Sequence, residues 1–274
     1  MVERSLLITG CSSGIGECCA RGMKARGWRV IATARKDSDL ARLEEDGLEA
    51  LYLDYTEPQS IESCAERALA LTQGKLGALF NNGAYGQPGA VEDLPTHVLR
   101  EQFDANFFGW HDLTRRIIPA MRANGGGRIV QNSSILGLVS LKYRGAYNAS
   151  KFAVEALSDA LRQELRGSGI NVSIIEPGPI ESRFSERALA AYRANIDLEN
   201  SAHRTVYERR IAAMENNAPN VMRREPEAVL AKLIHALESR RPKPHYHVTL
   251  PAHALALARR VLPTRLLDML MASE

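Results

Sequence analysis

Tyr147 and Lys151 stand four residues apart, and Ser134 precedes the tyrosine by thirteen. On a helix, that four-residue spacing puts a phenol and an ammonium on one face, one turn from each other. An ammonium held there stabilises a tyrosinate and draws the phenol pKa down from about 10 toward neutrality. A phenol tuned in this way can give or take a proton near pH 7, as a general acid or base must. Taken alone, Tyr-x-x-x-Lys also describes many solvated helix faces. Its meaning depends on what the neighbouring elements bring beside it.

Those elements alternate. Ser5 to Thr9 is a short apolar run suited to a buried parallel strand, and Gly10-Cys11-Ser12-Ser13-Gly14-Ile15-Gly16 interrupts it before a helix from Glu17 to Arg26. A strand, a glycine turn and a helix in that order make a phosphate site: the glycines let backbone approach closely, and the helix start offers free N–H groups. Trp28 to Thr33 forms the second strand, followed by Ala34 and then Arg35-Lys36. No carboxylate stands there to bind a ribose 2′-hydroxyl, and two cations are available for a 2′-phosphate, which favours NADP(H) over NAD(H). Further strands are expected at Leu48–Leu53 (closed by Asp54), 77–80, 127–132 and 170–176, with helices over 58–72, 96–123 and 147–165. A second glycine turn, Asn82-Gly83-Ala84, ends the fourth strand, and Pro177-Gly178-Pro179 ends the sixth. The expected fold is one α/β domain over the whole chain: a doubly wound, mostly parallel seven-stranded sheet with helices on both faces. Asn106 falls inside a helix where propensity gives it no reason to be. The nearby Phe103, Phe107, Phe108 and Trp110 read as core or subunit contact.

After Pro179 the pattern changes. Residues 181–224 are polar and largely helical in character, a natural lid over the carboxyl ends of the strands. A helix over 226–240 and a short strand at Tyr246–Leu250 follow. His245 and His247 share a strand face but have no third ligand near them in sequence, so no metal site is expected. The tail from 252 is amphipathic, with leucines set against Arg259, Arg260 and Arg265; it would cover its own domain or a partner subunit, or at most rest on a membrane surface. A net charge of +3, evenly spread, argues against nucleic acid. Four cysteines without C-x-x-C spacing, and a start that runs from Met1 straight into a strand-like stretch, make a reduced, cytoplasmic protein the expectation.

Together these motifs resemble the short-chain dehydrogenase/reductase family. Thr9-Gly10-x-x-x-Gly14-Ile15-Gly16 is similar to its cofactor motif, Asn81-Asn82-Gly83-Ala84 to its Asn-Asn-Ala-Gly element, and Pro177-Gly178-x-Ile180-x-Ser182 to the segment lining the nicotinamide. Asn106, Ser134, Tyr147 and Lys151 match the family's catalytic tetrad. Two positions depart from the pattern: Gly83-Ala84 reverses the usual order, and Ser182 replaces a threonine while keeping the hydroxyl. With Arg35, the likeness is to the NADP(H)-dependent branch resembling 17β-hydroxysteroid and retinol dehydrogenases and bacterial aldehyde reductases.

The resemblance implies hydride transfer between NADP(H) and a hydrophobic aldehyde or ketone. Tyr147 would be the proton donor and Ser134 would hydrogen-bond the same oxygen. Lys151 would hold the ribose and lower the Tyr147 pKa, and Asn106 would hold a water. Gly10, Ser12, Ser13, Gly14, Ile15, Gly16, Arg35, Asp54 (near the adenine), Asn82, Gly83, Ala84, Pro177, Gly178, Ile180 and Ser182 would contact cofactor. Leu136, Val139, Leu141 and Tyr143 favour an apolar substrate over a sugar. A homodimer or homotetramer is what the family suggests. Two alternatives stay open: a hydroxysteroid- or retinol-type enzyme working oxidatively, and an NADPH-binding regulator without turnover.

Overall fold

The structure, a computed structural model, describes residues 3–216 and 223–272. Along the chain run β1 (Ser5–Ile8), α1 (Gly14–Ala25), β2 (Arg29–Ala34), α2 (Asp37–Glu45), β3 (Glu49–Tyr52), α3 (Pro58–Leu71) and β4 (Ala78–Asn81). Next come α4 (Thr96–Phe103) and α5 (Gly109–Ala123), then β5 (Gly127–Asn132), α6 (Gly145–Glu164) and β6 (Ile170–Glu176). The remainder holds α7 (Phe184–Asn195), α8 (Arg204–Glu215), α9 (Glu227–Glu238), β7 (His245–His247), α10 (Leu250–Val261) and α11 (Thr264–Ala272).

The seven strands pair in the order β3-β2-β1-β4-β5-β6-β7, every neighbouring pair parallel. Parallel strands need helical crossovers, so both sheet faces are covered and the strands read as nearly continuous apolar runs. Leu6, Ile8, Val30 and Phe80 face one layer, with Met23 of α1 and Leu233 of α9. Leu7, Ile31, Leu79, Ile129 and Val172 face the other, with Leu113 of α5 and Val154 of α6. Each such fully buried side chain contributes roughly 1.5–3 kcal/mol. Strand order reverses between β1 and β4, which opens a crevice at the carboxyl ends where β1, β4, β5 and β6 all stop.

Four details differ from the sequence reading. The helix α2 was not expected; among its nine residues only Leu43 is buried, too little to raise a helical period. The expected helix over 96–123 is interrupted by a π-helical turn, Asp104–Phe108, which holds Asn106. α6 begins two residues before Tyr147. The last strand ends at His247 because Thr249 becomes the N-cap of α10, its hydroxyl accepting from the Ala252 N–H at 3.3 Å, with Pro251 in the first turn. The inner faces of α10 and α11, through Ala252, Ala256, Leu267 and Met271, pack on Ile135 and Val139 of the segment after β5, so the tail covers its own domain. Leu257, Val261 and Met269 on the outer faces are exposed. Among the described residues no helix is long and apolar enough to cross a membrane.

Candidate active site

The crevice is built from turns stitched together by side chains. Gly10 has φ +70, and a Cβ there would sit 2.5 Å from the Gly83 Cα; the turns after β1 and β4 touch only because both carry glycine. Thr9 Oγ1 accepts from the Asn82 and Gly83 N–H groups at 2.8 and 3.0 Å, and Asn82 Nδ2 donates to the Thr9 carbonyl at 2.9 Å. Asn132 at the end of β5 donates to Asn82 Oδ1 at 2.8 Å. Three strand ends are thereby fixed. A Cβ on Gly16 would lie 2.2 Å from the Gly10 carbonyl oxygen, so the first turn of α1 is pressed directly against the glycine turn. Ser13 caps α1 in extended backbone without spending its side chain on the helix. The N–H groups of that turn therefore face the cleft lined by Gly10, Ser13, Ile15 and Gly16, which suits a pyrophosphate. A nicotinamide dinucleotide fits this cradle.

Asn82, Gly83 and Ala84 continue the lining, as do Ser134, Tyr147 and Lys151 and, from the loop after β6, Pro177, Gly178, Ile180 and Ser182. The cleft encloses about 440 Å³, in the range of small-molecule sites. Four expected contacts sit behind or beside it. Gly14 backs onto Ser182, to which a Cβ would come within 3.0 Å. Ser12 accepts from Arg187 at 3.0 Å. Asp54 accepts from the Thr56 N–H and hydroxyl at 2.9 and 2.8 Å and pairs with Arg35 at 3.3 Å, which holds its carboxyl below the ordinary range although burial opposes this. Arg35 itself is largely exposed.

Lys151, like Asn106, is fully buried, only 1% exposed. Its ammonium donates to the Asn132 carbonyl at 2.9 Å and lies 4.2 Å from the centre of the Trp110 ring. Trp110 in turn donates its indole N–H to the Gly83 carbonyl at 2.9 Å, so this core aromatic also braces the site. Burial pushes the lysine pKa down to about 7, against the pull of Glu155 one turn along α6. Tyr147 does not show the expected fall. Burial raises its phenol to about 12, with Ser134 and Arg144 pulling the other way, because the lysine ammonium is turned to Asn132 and lies 5.7 Å from the tyrosine ring centre.

Asn106 is held by the loop after β4. Its Oδ1 accepts from the Tyr85 N–H at 3.1 Å, and its Nδ2 donates to the Tyr85 carbonyl at 2.8 Å and to Ser150 at 3.3 Å. With both ends of its amide bonded to protein, this side chain clamps the loop after β4. Among the described residues it makes no hydrogen bond to Lys151.

Residues 4–193 match the family model described as short chain dehydrogenase. The chain belongs to that family. It is 42% identical over 271 residues to an uncharacterized oxidoreductase, YbbO, of Escherichia coli (strain K12), covering 99% of this chain and 95% of YbbO. It is 32% identical over 283 residues to human retinol dehydrogenase 16, covering 98% and 88% respectively. A short-chain dehydrogenase structure from Streptomyces avermitilis superposes with a TM-score of 0.77 at 28% identity, covering 100% of this chain and 95% of that one.

This short-chain dehydrogenase has site residues that sequence reasoning did not single out. Phe184 packs edge-on against Tyr147 with ring centres 5.3 Å apart, and Arg144 lines the cleft beside it, its pKa lowered by burial. Of the long stretch after Pro179, the described residues that reach the cleft are Ile180, Ser182 and Arg183, then Phe184, Ser185 and Arg187 in the first turn of α7, and Arg223. α8 turns its Tyr207 into a separate cluster with Tyr192 and Ile196, and residues 217–222 of the expected lid lie outside the described residues. Leu136 and Leu141 line the apolar end with Leu255 and Met271. Val139 is buried under α10, and Tyr143 points to His203 and Tyr207. No residue spacing announces these contacts; an arginine within a turn of a helix start after the Pro-Gly segment is the one usable signal.

Proposed function

We propose that the protein is an NADP(H)-dependent oxidoreductase that reduces a hydrophobic aldehyde or ketone to its alcohol. The observation that carries the cofactor choice is a group of guanidinium side chains beside the glycine turn. Arg187 donates to Ser12, and its pKa is lowered first by burial and then by the positive charges of Arg35 and Arg183, with Asp39 and Glu186 pulling back. Cations kept together against their own repulsion suit a phosphate that β2, ending in Ala34-Arg35-Lys36, does not repel.

The chemistry supplied by NADPH held in the cradle is hydride donation. Ser13 and the first turn of α1 would hold its pyrophosphate, and Lys151 would hold a ribose hydroxyl. Tyr147, raised to about 12, keeps its proton at neutral pH and so is set to donate it to a carbonyl oxygen that gains negative charge. Ser134 would steady the same oxygen. Leu136, Leu141, Phe184, Leu255 and Met271 exclude water around the carbonyl and favour an apolar substrate. The name of retinol dehydrogenase 16 supports the same substrate class.

NADPH and NADH oxidation, measured side by side over straight-chain aldehydes, aromatic ketones and aldoses, tests this reading. NADPH should be favoured by at least about tenfold, and Arg35→Ala or Arg187→Ala should each lower kcat/KM for NADPH about tenfold while leaving that for NADH nearly unchanged, as expected for one lost charge-assisted contact. Equal use of NADH would overturn the cofactor choice. No turnover with any carbonyl would favour the regulator.

A further inference from the structure

A second cluster of chemistry-bearing residues lies behind the catalytic helix. In a strand, side chains two apart share a face, so His245 and His247 of β7 point the same way. β7 pairs with β6 in the register Glu176↔His247, which sets Glu176 beside both histidines. The layer covering that face is α6, whose Glu155 and Asp159 are one turn apart. The fold therefore supplies the carboxylates that the sequence around His245 and His247 lacks.

The distances are those of convergent donors. His245 Nδ1 lies 2.8 Å from Glu176 Oε1 and 3.8 Å from Glu155 Oε2, and His247 Nδ1 lies 2.5 Å from Glu176 Oε2. One ligand atom from each of Glu155, Glu176 and His245 falls within 4.8 Å of the others. The far nitrogen of His245, Nε2, meets Asp159 Oδ1 at 3.2 Å, an oxygen that also accepts from Arg162. A carboxylate on the distal nitrogen fixes the ring and tautomer of a metal-bound histidine.

Hydrogen bonds within the protein satisfy this group only in part. Glu155 is 7% exposed and Glu176 fully buried. Both carboxylate oxygens of Glu155, one oxygen of Glu176 and Nδ1 of His247 have no well-formed hydrogen bond. The Ser133 hydroxyl lies beside Glu155 without a well-formed hydrogen bond, and the Lys151 ammonium is given to Asn132. His245 Nδ1 and Glu176 Oε1 share one hydrogen bond, but both oxygens of buried Glu155, Glu176 Oε2 and His247 Nδ1 are left facing one another, an arrangement that suits a cation.

We propose that Glu155, Glu176 and His245, with His247 as a fourth donor, form a binding site for a divalent transition-metal ion of the zinc or manganese type. Two imidazole nitrogens and two carboxylates, with no thiolate, match that class. The ion would tie the end of β6, which leads into Pro177-Gly178, to the helix bearing Tyr147 and Lys151. His245 and Asp159 are partly exposed and give it a way in from solvent.

The test uses full-length, untagged protein stripped with chelator and dialysed. Zn²⁺ and Mn²⁺ are titrated by calorimetry, Co²⁺ by its visible absorption, and NADPH binding serves as the check on folding. One equivalent of ion should bind, raising Tm by roughly 5 °C at a hundredfold excess over Kd. Glu155→Gln and His245→Gln should each weaken binding by at least tenfold, and Asp159→Asn by a comparable factor. The proposal is overturned by no binding at 1 mM (about a thousand times a micromolar Kd), or by binding that the double variant Glu155→Gln/His245→Gln leaves unchanged while it still binds NADPH.

Discussion

A Tyr147→Phe variant is expected to lose turnover by a factor of about 10² or more and to bind NADPH within a few-fold of the parent. The substitution removes one oxygen and keeps the ring. That ring is buried and packs edge-on against Phe184, so the apolar wall of the cleft survives. The cradle made by Gly10, Ser13 and Gly16 belongs to other elements and does not feel the change. What disappears is, among the described residues, the only phenol in the cleft lining, and with it the group proposed to give a reduced carbonyl its proton. Ser134 does not substitute, because a serine hydroxyl is a far weaker acid than a phenol. The readout is kcat by NADPH absorbance alongside NADPH affinity by fluorescence. Normal kcat would remove Tyr147 from the role of proton donor, and loss of NADPH binding would make it a structural residue.

Why this residue could be found without coordinates is a matter of which constraints are local. Gly10 and Gly16 are required because backbone meets backbone within the distance of one Cβ, and such a demand cannot be met by another residue type. The strands are legible because burial on both faces leaves no room for polar alternation. Asn106 stood out because asparagine is a poor helix former, and the structure places it in a π-helical turn where the regular ladder is already broken. Nothing comparable marks Arg144, Phe184 or Arg187. They act through contacts made across the fold, and any exposed helix carries the same residue types. The His245–Glu176–Glu155 cluster shows the limit most directly: its members are spread over 91 residues of sequence and meet only through the β6–β7 register. The tyrosine pKa depends on a contact of the same kind. Helical spacing predicts that Lys151 is near Tyr147, but not that a carbonyl at the end of β5 claims its ammonium.

Lys151→Met is expected to lower kcat/KM for NADPH by about 10² or more, and its effect on stability should depend on pH in a defined direction. The lysine is fully buried and its pKa lies at about 7 in the folded protein, against 10.5 in an exposed chain. Between those values the unfolded chain binds a proton that the folded one does not. Stability therefore rises with pH through this window, by at most about 1.4 kcal/mol per unit from this one group. Below pH 7 both states are protonated and the full cost of burying the ammonium is present. Other groups titrate nearby: Glu155 is raised to about 8, and buried Cys11 and Cys64 to about 12, all of which make stability fall with rising pH. The parent curve alone is thus a mixture, and the quantity to measure is the difference in unfolding free energy between parent and variant from pH 6 to 10. Methionine fills much of the same volume and keeps contact with the Trp110 ring while removing the charge. At pH 6 the variant should equal or exceed the parent, and by pH 10 the parent should have gained on it. A difference that stays flat across the window would mean that Lys151 titrates near its ordinary value, and that the Asn132 carbonyl and the Trp110 face solvate its ammonium well enough to cancel burial. In the expected case, a residue proposed to hold the cofactor ribose is one the fold would be more stable without at neutral pH, a cost that function explains and packing does not.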